Sequence, residues 1–212
     1  MNRTTFLVDG FNLYHSLRTA GGALHGASTR WLDLGALAAA HLYIVGNGAA
    51  LESVHYFSAL ARHLETSNPG VTKRHRAFIQ ALEASGVIVE LGRFKTKSLR
   101  CNVCGASLVR HEEKETDVAI AIRLYELFHA DRCDTAVIVS GDTDLAPAVR
   151  GVNRLFPAAR VLFAFPYARK NRELASLAPG SFTIGKEAYA RYQLPNPVVA
   201  PDGRIIPKPP SW

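Results

Sequence analysis

Two short apolar runs, Thr135–Val139 (TAVIV) and Phe6–Val8 (FLV), constrain this chain more than any other feature. Each ends in an acid beside a glycine, just before a helical pattern begins. Brief β-branched runs of this kind suit strands covered on both faces, as in a parallel sheet sandwiched by helices. The later run ends at Ser140-Gly141-Asp142-Thr143-Asp144 and the earlier one at Asp9-Gly10-Phe11-Asn12. In open parallel sheets, ligands gather at the carboxyl ends of the strands, so the two sets of acids are expected to share one pocket. An aspartate here could serve only as a helix N-cap, but a cap needs one carboxylate and Asp142 and Asp144 are two. A third acidic segment, Glu112-Glu113-Lys114-Glu115-Thr116-Asp117, opens the helical run VAIAIRLYELF. Asp117 falls on one face with Ala121, so its carboxylate can look past a small side chain, although acids in a first turn also serve the helix dipole.

In this order, Asp9-Gly10-Phe11-Asn12, Lys114-Glu115-Thr116-Asp117-Val118 and Ser140-Gly141-Asp142-Thr143-Asp144 resemble the three signature segments of the NYN family. These are PIN-like nucleases, and the likeness is to the bacterial LabA-like group, over about Thr4 to Phe165. The resemblance implies a Rossmann-like PIN fold of α/β class, with a central, mostly parallel sheet of about five strands flanked by helices. It also implies metal-dependent ribonuclease chemistry, with Asp9, Asn12, Asp117, Asp142 and Asp144 at the family's acidic-site positions. This sequence departs from the family at Arg123, where another acid is often found.

Three cysteines argue against a secreted disulfide framework. No apolar run approaches the ~18 residues of a membrane helix, and the start lacks a signal-peptide pattern, so a cytoplasmic location and no membrane partner are expected. A formal charge of +7 and a pI near 9.5 favour polyanions.

Thr4–Val8 reads as the first strand and Phe11–Arg18 as a short helix, followed by a mobile loop around Gly21, Gly22 and Gly26. Asp33 is a good N-cap for LGALAAAHL, and Val54–Phe57 suits a second strand, with His55 packed rather than ligating. Ser67-Asn68-Pro69 reads as a helix start and Gly86 as its end, with Val87–Leu91 as the third strand. In that helix, Lys73, Arg74, His75 and Arg76 read as a solvated face. Arg93, Lys95, Lys97 and Arg100 alternate as they leave the third strand and could track an RNA backbone, with Phe94 offering a stacking surface.

Cys101-Asn102-Val103-Cys104-Gly105 has the bite for half of a tetrahedral zinc site. His111, Cys133 or a second copy in a homodimer could complete it, and a pair of reduced thiols is the alternative. A helix after Asp144 and a strand at Arg160–Phe165 follow. Arg169, Lys170 and Asn171 lie at that strand's carboxyl end, either as phosphate ligands at the acidic rim or as an ordinary helix start. Phe182–Ile184 could add an edge strand. The expected organisation is one domain over 1–192, with the CxxC knuckle as an insertion at 95–111. A proline-rich arm over 193–212 would form an extended segment or small hairpin.

The expected function is hydrolysis of single-stranded RNA at a Mg²⁺ or Mn²⁺ site ligated by Asp9, Asp117, Asp142 and Asp144, oxygen donors suited to hard cations. Asn12 would orient water or a phosphate oxygen, and Ser140 and Thr143 would fix carboxylates or bind phosphate. Two readings compete with it. A phosphatase of the haloacid-dehalogenase type needs a second aspartate two residues after the first, and Phe11 stands there. A catalytically weak RNA- or protein-binding module on the same fold is the other, with Arg123 as its support.

Overall fold

Strand β1 (Asn2–Asp9) sends Phe6 and Val8 to one face and Leu7 to the other, all of them buried, which requires cover on both sides. The computed structural model describes residues 1–212 and provides that cover. From β1 the chain runs through α1 (Gly10–Ala23), α2 (Leu34–Val45), β2 (Ala49–Ala59), α3 (Val71–Ala84), β3 (Ile88–Arg100) and β4 (Ser107–Lys114). It continues through α4 (Thr116–His129), β5 (Thr135–Val139), α5 (Ala146–Leu155), β6 (Arg160–Phe165), α6 (Arg172–Leu177), β7 (Ser181–Thr183) and α7 (Lys186–Arg191). A terminal hairpin, β8 (Val198–Val199) with β9 (Ile205–Ile206), completes the chain.

The sheet order is β4-β3-β2-β1-β5-β6-β7, parallel throughout except for the antiparallel β3–β4 pair. The sheet therefore has seven strands rather than about five. The additions are β4, whose SLVRHEEK sequence is too polar to read as a strand, and β7 at the other edge, which falls one residue before the candidate edge strand at Phe182–Ile184. The connections from β1 run outward to β2 and β3, and the chain then returns to lay β5 on the other side of β1. This reversal opens a crevice at the carboxyl ends of β1 and β5. At the opposite end of the same strand pair, Arg3 donates to Asp134 from its backbone N (2.7 Å) and from Nη2 (2.7 Å).

Helix α1 runs well past Arg18, through Gly21 and Gly22, so these two glycines are helical rather than part of a mobile loop. Buried Leu17 and Ala20 hold the helix on the sheet, and the following segment folds back so that the Thr29 hydroxyl donates to the Leu17 carbonyl at 2.8 Å. Helix α3 starts at Val71, not at Ser67. The Glu65 carboxylate accepts from the N–H groups of Gly70 (2.6 Å) and Thr72 (3.1 Å), and a left-handed Gly70 at φ 75° makes the turn. The terminal arm is bound to the body: Trp31 Nε1 donates to the Pro195 carbonyl at 3.0 Å, and Trp212 packs edge-on against Phe78. No helix is long and apolar enough to cross a membrane.

Candidate active site

Asp9 is the last residue of β1 and the N-cap of α1, and it is 5% exposed. One carboxylate oxygen accepts from the N–H groups of Phe11 (3.1 Å) and Asn12 (3.0 Å), the other from Ser140 Oγ (2.7 Å). The tight start of α1 requires Gly10, since a Cβ there would lie 2.6 Å from the Phe57 carbonyl and 2.7 Å from the Tyr56 ring. Ser140, fully buried at the end of β5, bridges the two halves of the site: its hydroxyl also accepts from the Asp142 N–H at 3.0 Å. Asp142 Oδ1 in turn accepts from the Asp144 N–H at 3.0 Å and caps the short 3-10 turn Thr143–Leu145. Asn12 Oδ1 accepts from the Gly141 N–H at 3.1 Å, a second tie between the loops after β1 and β5.

Asp117 enters from the first turn of α4. Burial pushes its carboxyl up to about 6, with further upward pressure from the charges of Asp9, Asp142 and Asp144. Burial also raises Asp9, against the pull of its hydrogen bonds to Asn12 and Ser140, and Asp142 adds to the rise. Acids from three separate segments of the chain thus share one crevice and repel one another.

Sequence reasoning did not single out a fifth acid, Glu113. It lies at the inner end of β4, opposite Phe94, and the Thr116 hydroxyl donates to it. Burial and the charges of Asp9, Asp117 and Asp142 push it up to about 7. The only signal in the sequence was its place in the acidic segment before Asp117. Arg123, in contrast, is turned away from this use: its guanidinium contacts Glu90 Oε1 (2.7 Å) and Glu126 Oε2 (3.0 Å). That cation is already neutralised, so it does not stand in the crevice as a substitute for a metal ion.

The acids are spread around the crevice, and nowhere do three His, Cys, Asp or Glu side chains converge in metal-holding geometry. The donor chemistry nevertheless fits a hard divalent cation, because the cluster offers only oxygen ligands and an excess of negative charge. Zinc at the cysteine pair gains no such support. Cys101 and Cys104 form the tip of the β3–β4 ribbon, where the backbone N–H groups of Cys104 and Val103 hold the Cys101 thiol below its usual range. His111 lies five residues down the strand from Ala106, roughly 16 Å away at 3.3 Å per residue, and stacks on His63. Cys133 is buried beside β5, with Sγ donating to the Thr135 carbonyl. Neither completes a site at the tip.

Several of the predicted substrate ligands have other duties. Phe94 packs edge-on between Phe11 (5.4 Å) and His63 (4.4 Å) and so is not an open stacking surface. Arg93 pairs with Glu115 at 2.7 Å and Lys97 lies 3.9 Å from Glu112, whereas Lys95 has no ion pair. Asn171 caps α6 with its oxygen and donates from Nδ2 to the Gly141 carbonyl at 3.2 Å, so it positions the rim. Its neighbours Arg169 and Lys170 are exposed at that rim and unpaired, and Thr143 is exposed beside Asp142. The Arg169 carbonyl sits so close to Gly141 that any side chain at 141 would collide with it.

Residues 3–183 match the NYN domain. The chain belongs to the NYN domain family, a family of PIN-like, generally nuclease-like proteins. Among curated proteins, it is 25% identical to 6-hydroxy-3-succinoylpyridine 3-monooxygenase HspA of Pseudomonas putida, across 99% of this chain and 75% of that protein. That identity is too low for the activity in the name to carry over. A crystal structure of a protein of unknown function from Vibrio parahaemolyticus shares the fold at a TM-score of 0.54 and 19% identity, covering 87% of this chain and 93% of that one.

Proposed function

We propose that this protein is a metal-dependent ribonuclease that hydrolyses phosphodiester bonds of single-stranded RNA in the crevice between β1 and β5. The observation that carries this reading is that Asp9, Asp117, Asp142 and Asp144, from three segments, border one crevice closely enough that Asp9, Asp142 and Asp144 each press the Asp117 carboxyl upward. Asp9 and Asp142 would form the core of a Mg²⁺ or Mn²⁺ site, with Asp117 and Asp144 ligating directly or through water. A bound divalent ion supplies charge relief on the phosphoryl oxygens and a more acidic water.

The chain's own residues would do the rest. Ser140 holds the Asp9 carboxylate and the loop of Asp142 in fixed relation. Asn12 anchors Gly141 with its oxygen, which leaves its amide N–H groups for a phosphate oxygen or the attacking water. Glu113, raised to about 7, would accept a proton from that water or return one to the leaving oxygen. Arg169 and Lys170 at the rim, with Lys95 and Lys97 on the ribbon, would hold flanking phosphates. Thr143 would contribute a hydroxyl.

The test is cleavage of a fluorophore–quencher RNA and its DNA equivalent with Mn²⁺, Mg²⁺ or EDTA, alongside Asp9→Asn and Asp142→Asn. Metal-dependent cleavage of RNA that both substitutions abolish is the expected result. Full activity in Asp142→Asn, with contaminating nuclease excluded, would sink the assignment.

A further inference from the structure

A second cavity opens one residue beyond Asp9, on the other side of β1 from the acids. Its floor is Gly10 and the carboxyl end of β2, which runs on past the level of Asp9 to Ser58 and Ala59. Phe11 and Tyr14 of α1, Tyr56 of β2, Phe78 of α3 and Trp212 of the terminal arm supply aromatic walls. The cavity measures about 130 Å³. An apolar cavity of about 150 Å³ accommodates a benzene ring, so this one is sized for a single six-membered ring.

Its polar equipment is sparse and placed for such a ring. His75 faces the cavity from α3, with Nε2 3.4 Å from Tyr56 Oη and 3.5 Å from Ser58 Oγ. Both contacts are at the long end of hydrogen bonding, which leaves the imidazole and the hydroxyls able to turn to the edge of a guest. Burial pushes His75 down to about 4, so it is neutral near pH 7 and can both donate and accept. Arg30 lies in the wall without a carboxylate partner, and Arg74 is held by the Pro69 carbonyl and Asn68. A mostly apolar pocket with a few convergent polar groups is the usual form of a small-ligand site.

We propose that this cavity binds a single-ring heteroaromatic group carrying an oxo or hydroxy substituent, with an attached anion directed to Arg30. The ring would sit between the aromatic walls, its polar edge on His75 and Ser58. Two sources share this chemistry: the pyrimidine of a nucleotide with one phosphate on Arg30, and a free heteroaromatic acid. The nucleotide source rests on the nuclease reading, under which the cavity would select a pyrimidine beside the scissile bond.

The test is calorimetric titration of the full chain in EDTA with cytidine 3′-monophosphate, adenosine 3′-monophosphate and 6-hydroxynicotinate. The expected result is one site per chain, occupied by the cytidine nucleotide or the free acid about tenfold more tightly than by the adenosine nucleotide. Ala61→Trp and Leu64→Trp fill the mouth from the loop before α3 and should each abolish binding, with the fold checked by circular dichroism. Arg30→Gln should weaken the anionic ligands about tenfold, the worth of one charge-assisted hydrogen bond. Binding of the cytidine nucleotide alone assigns the nucleobase source, and binding of 6-hydroxynicotinate alone assigns the free acid. Saturation by neither, equal affinity for purine and pyrimidine, or unchanged binding in both tryptophan variants would overturn the proposal. Cleavage is measured separately with metal, so failure of the nuclease leaves ring binding legible, and the reverse holds too.

Discussion

Asp117 shows how a single side chain can be costly to the fold and necessary to the site. Its carboxyl is pushed up to about 6, so at pH 7.5 it is ionised against the preference of the folded state. Asp117→Asn should therefore stabilise the metal-free protein by about 1 kcal/mol, a figure discounted because the side chain is only partly buried. That corresponds to a rise of about 2–4 °C in Tm. The same substitution should abolish metal-dependent cleavage of RNA. A fall in Tm measured by calorimetry would show that Asp117 is structural. Ser140→Ala acts in the opposite sense. It strips hydrogen bonds from buried Asp9 and from the Asp142 N–H, so a loss of about 1–3 kcal/mol is expected in denaturant unfolding.

At the scale of elements, the loop after β6 is packed on the loop after β5 through Gly141 and Asn171. Gly141→Ala would drive a methyl group into the Arg169 carbonyl. It should cost about 1–3 kcal/mol as an overpacked contact, and should lower cleavage by moving Asp142. On the β3–β4 ribbon, exposed Lys95 stands opposite Glu112 in the register. Lys95→Ala should reduce the slope of log affinity against log salt for single-stranded RNA by about 0.7, the share of one phosphate contact. An unchanged slope in filter binding would remove the ribbon from the RNA path.

The elements also show what could be read in advance. The strands ending in Asp9 and at Ser140, and the helix opened by Asp117, were legible because buried parallel strands are apolar and short and their ends carry the chemistry. Strand β4 was not, because an exposed edge ribbon needs no apolar alternation, and Glu113 was hidden with it. The role of His75 was hidden differently: in sequence it sits among Lys73, Arg74 and Arg76, and only the packing of α3 against β2 turns it inward. The cavity beside it is assembled from distant segments, from Gly10 to Trp212, and leaves no local pattern.

For the whole molecule, two sets of buried groups set opposite responses to pH. Glu113 and Asp117, raised to about 7 and about 6, bind protons more readily in the folded than in the unfolded chain. The stability of the metal-free protein should therefore fall as pH rises from about 4, the unfolded carboxylate range, through about 7. His55 and His75, lowered to about 4 by burial, lose their stabilising contribution as pH falls below about 6.5. The two trends oppose each other at acid pH, so the clean window lies above it. Between pH 6.5 and 7.5, Tm should drop as pH rises, and Glu113→Gln combined with Asp117→Asn should flatten that dependence.

The hydrogen bond from Ser140 to Asp9 joins residues separated by 131 positions, with the whole β2–β3–β4 excursion between them. A chain still emerging from the ribosome can build β1, β2 and β3, yet it has no second wall for the crevice until β5 and its loop have been synthesised. The crevice is thus closed only when the last of its acid-bearing segments has been made.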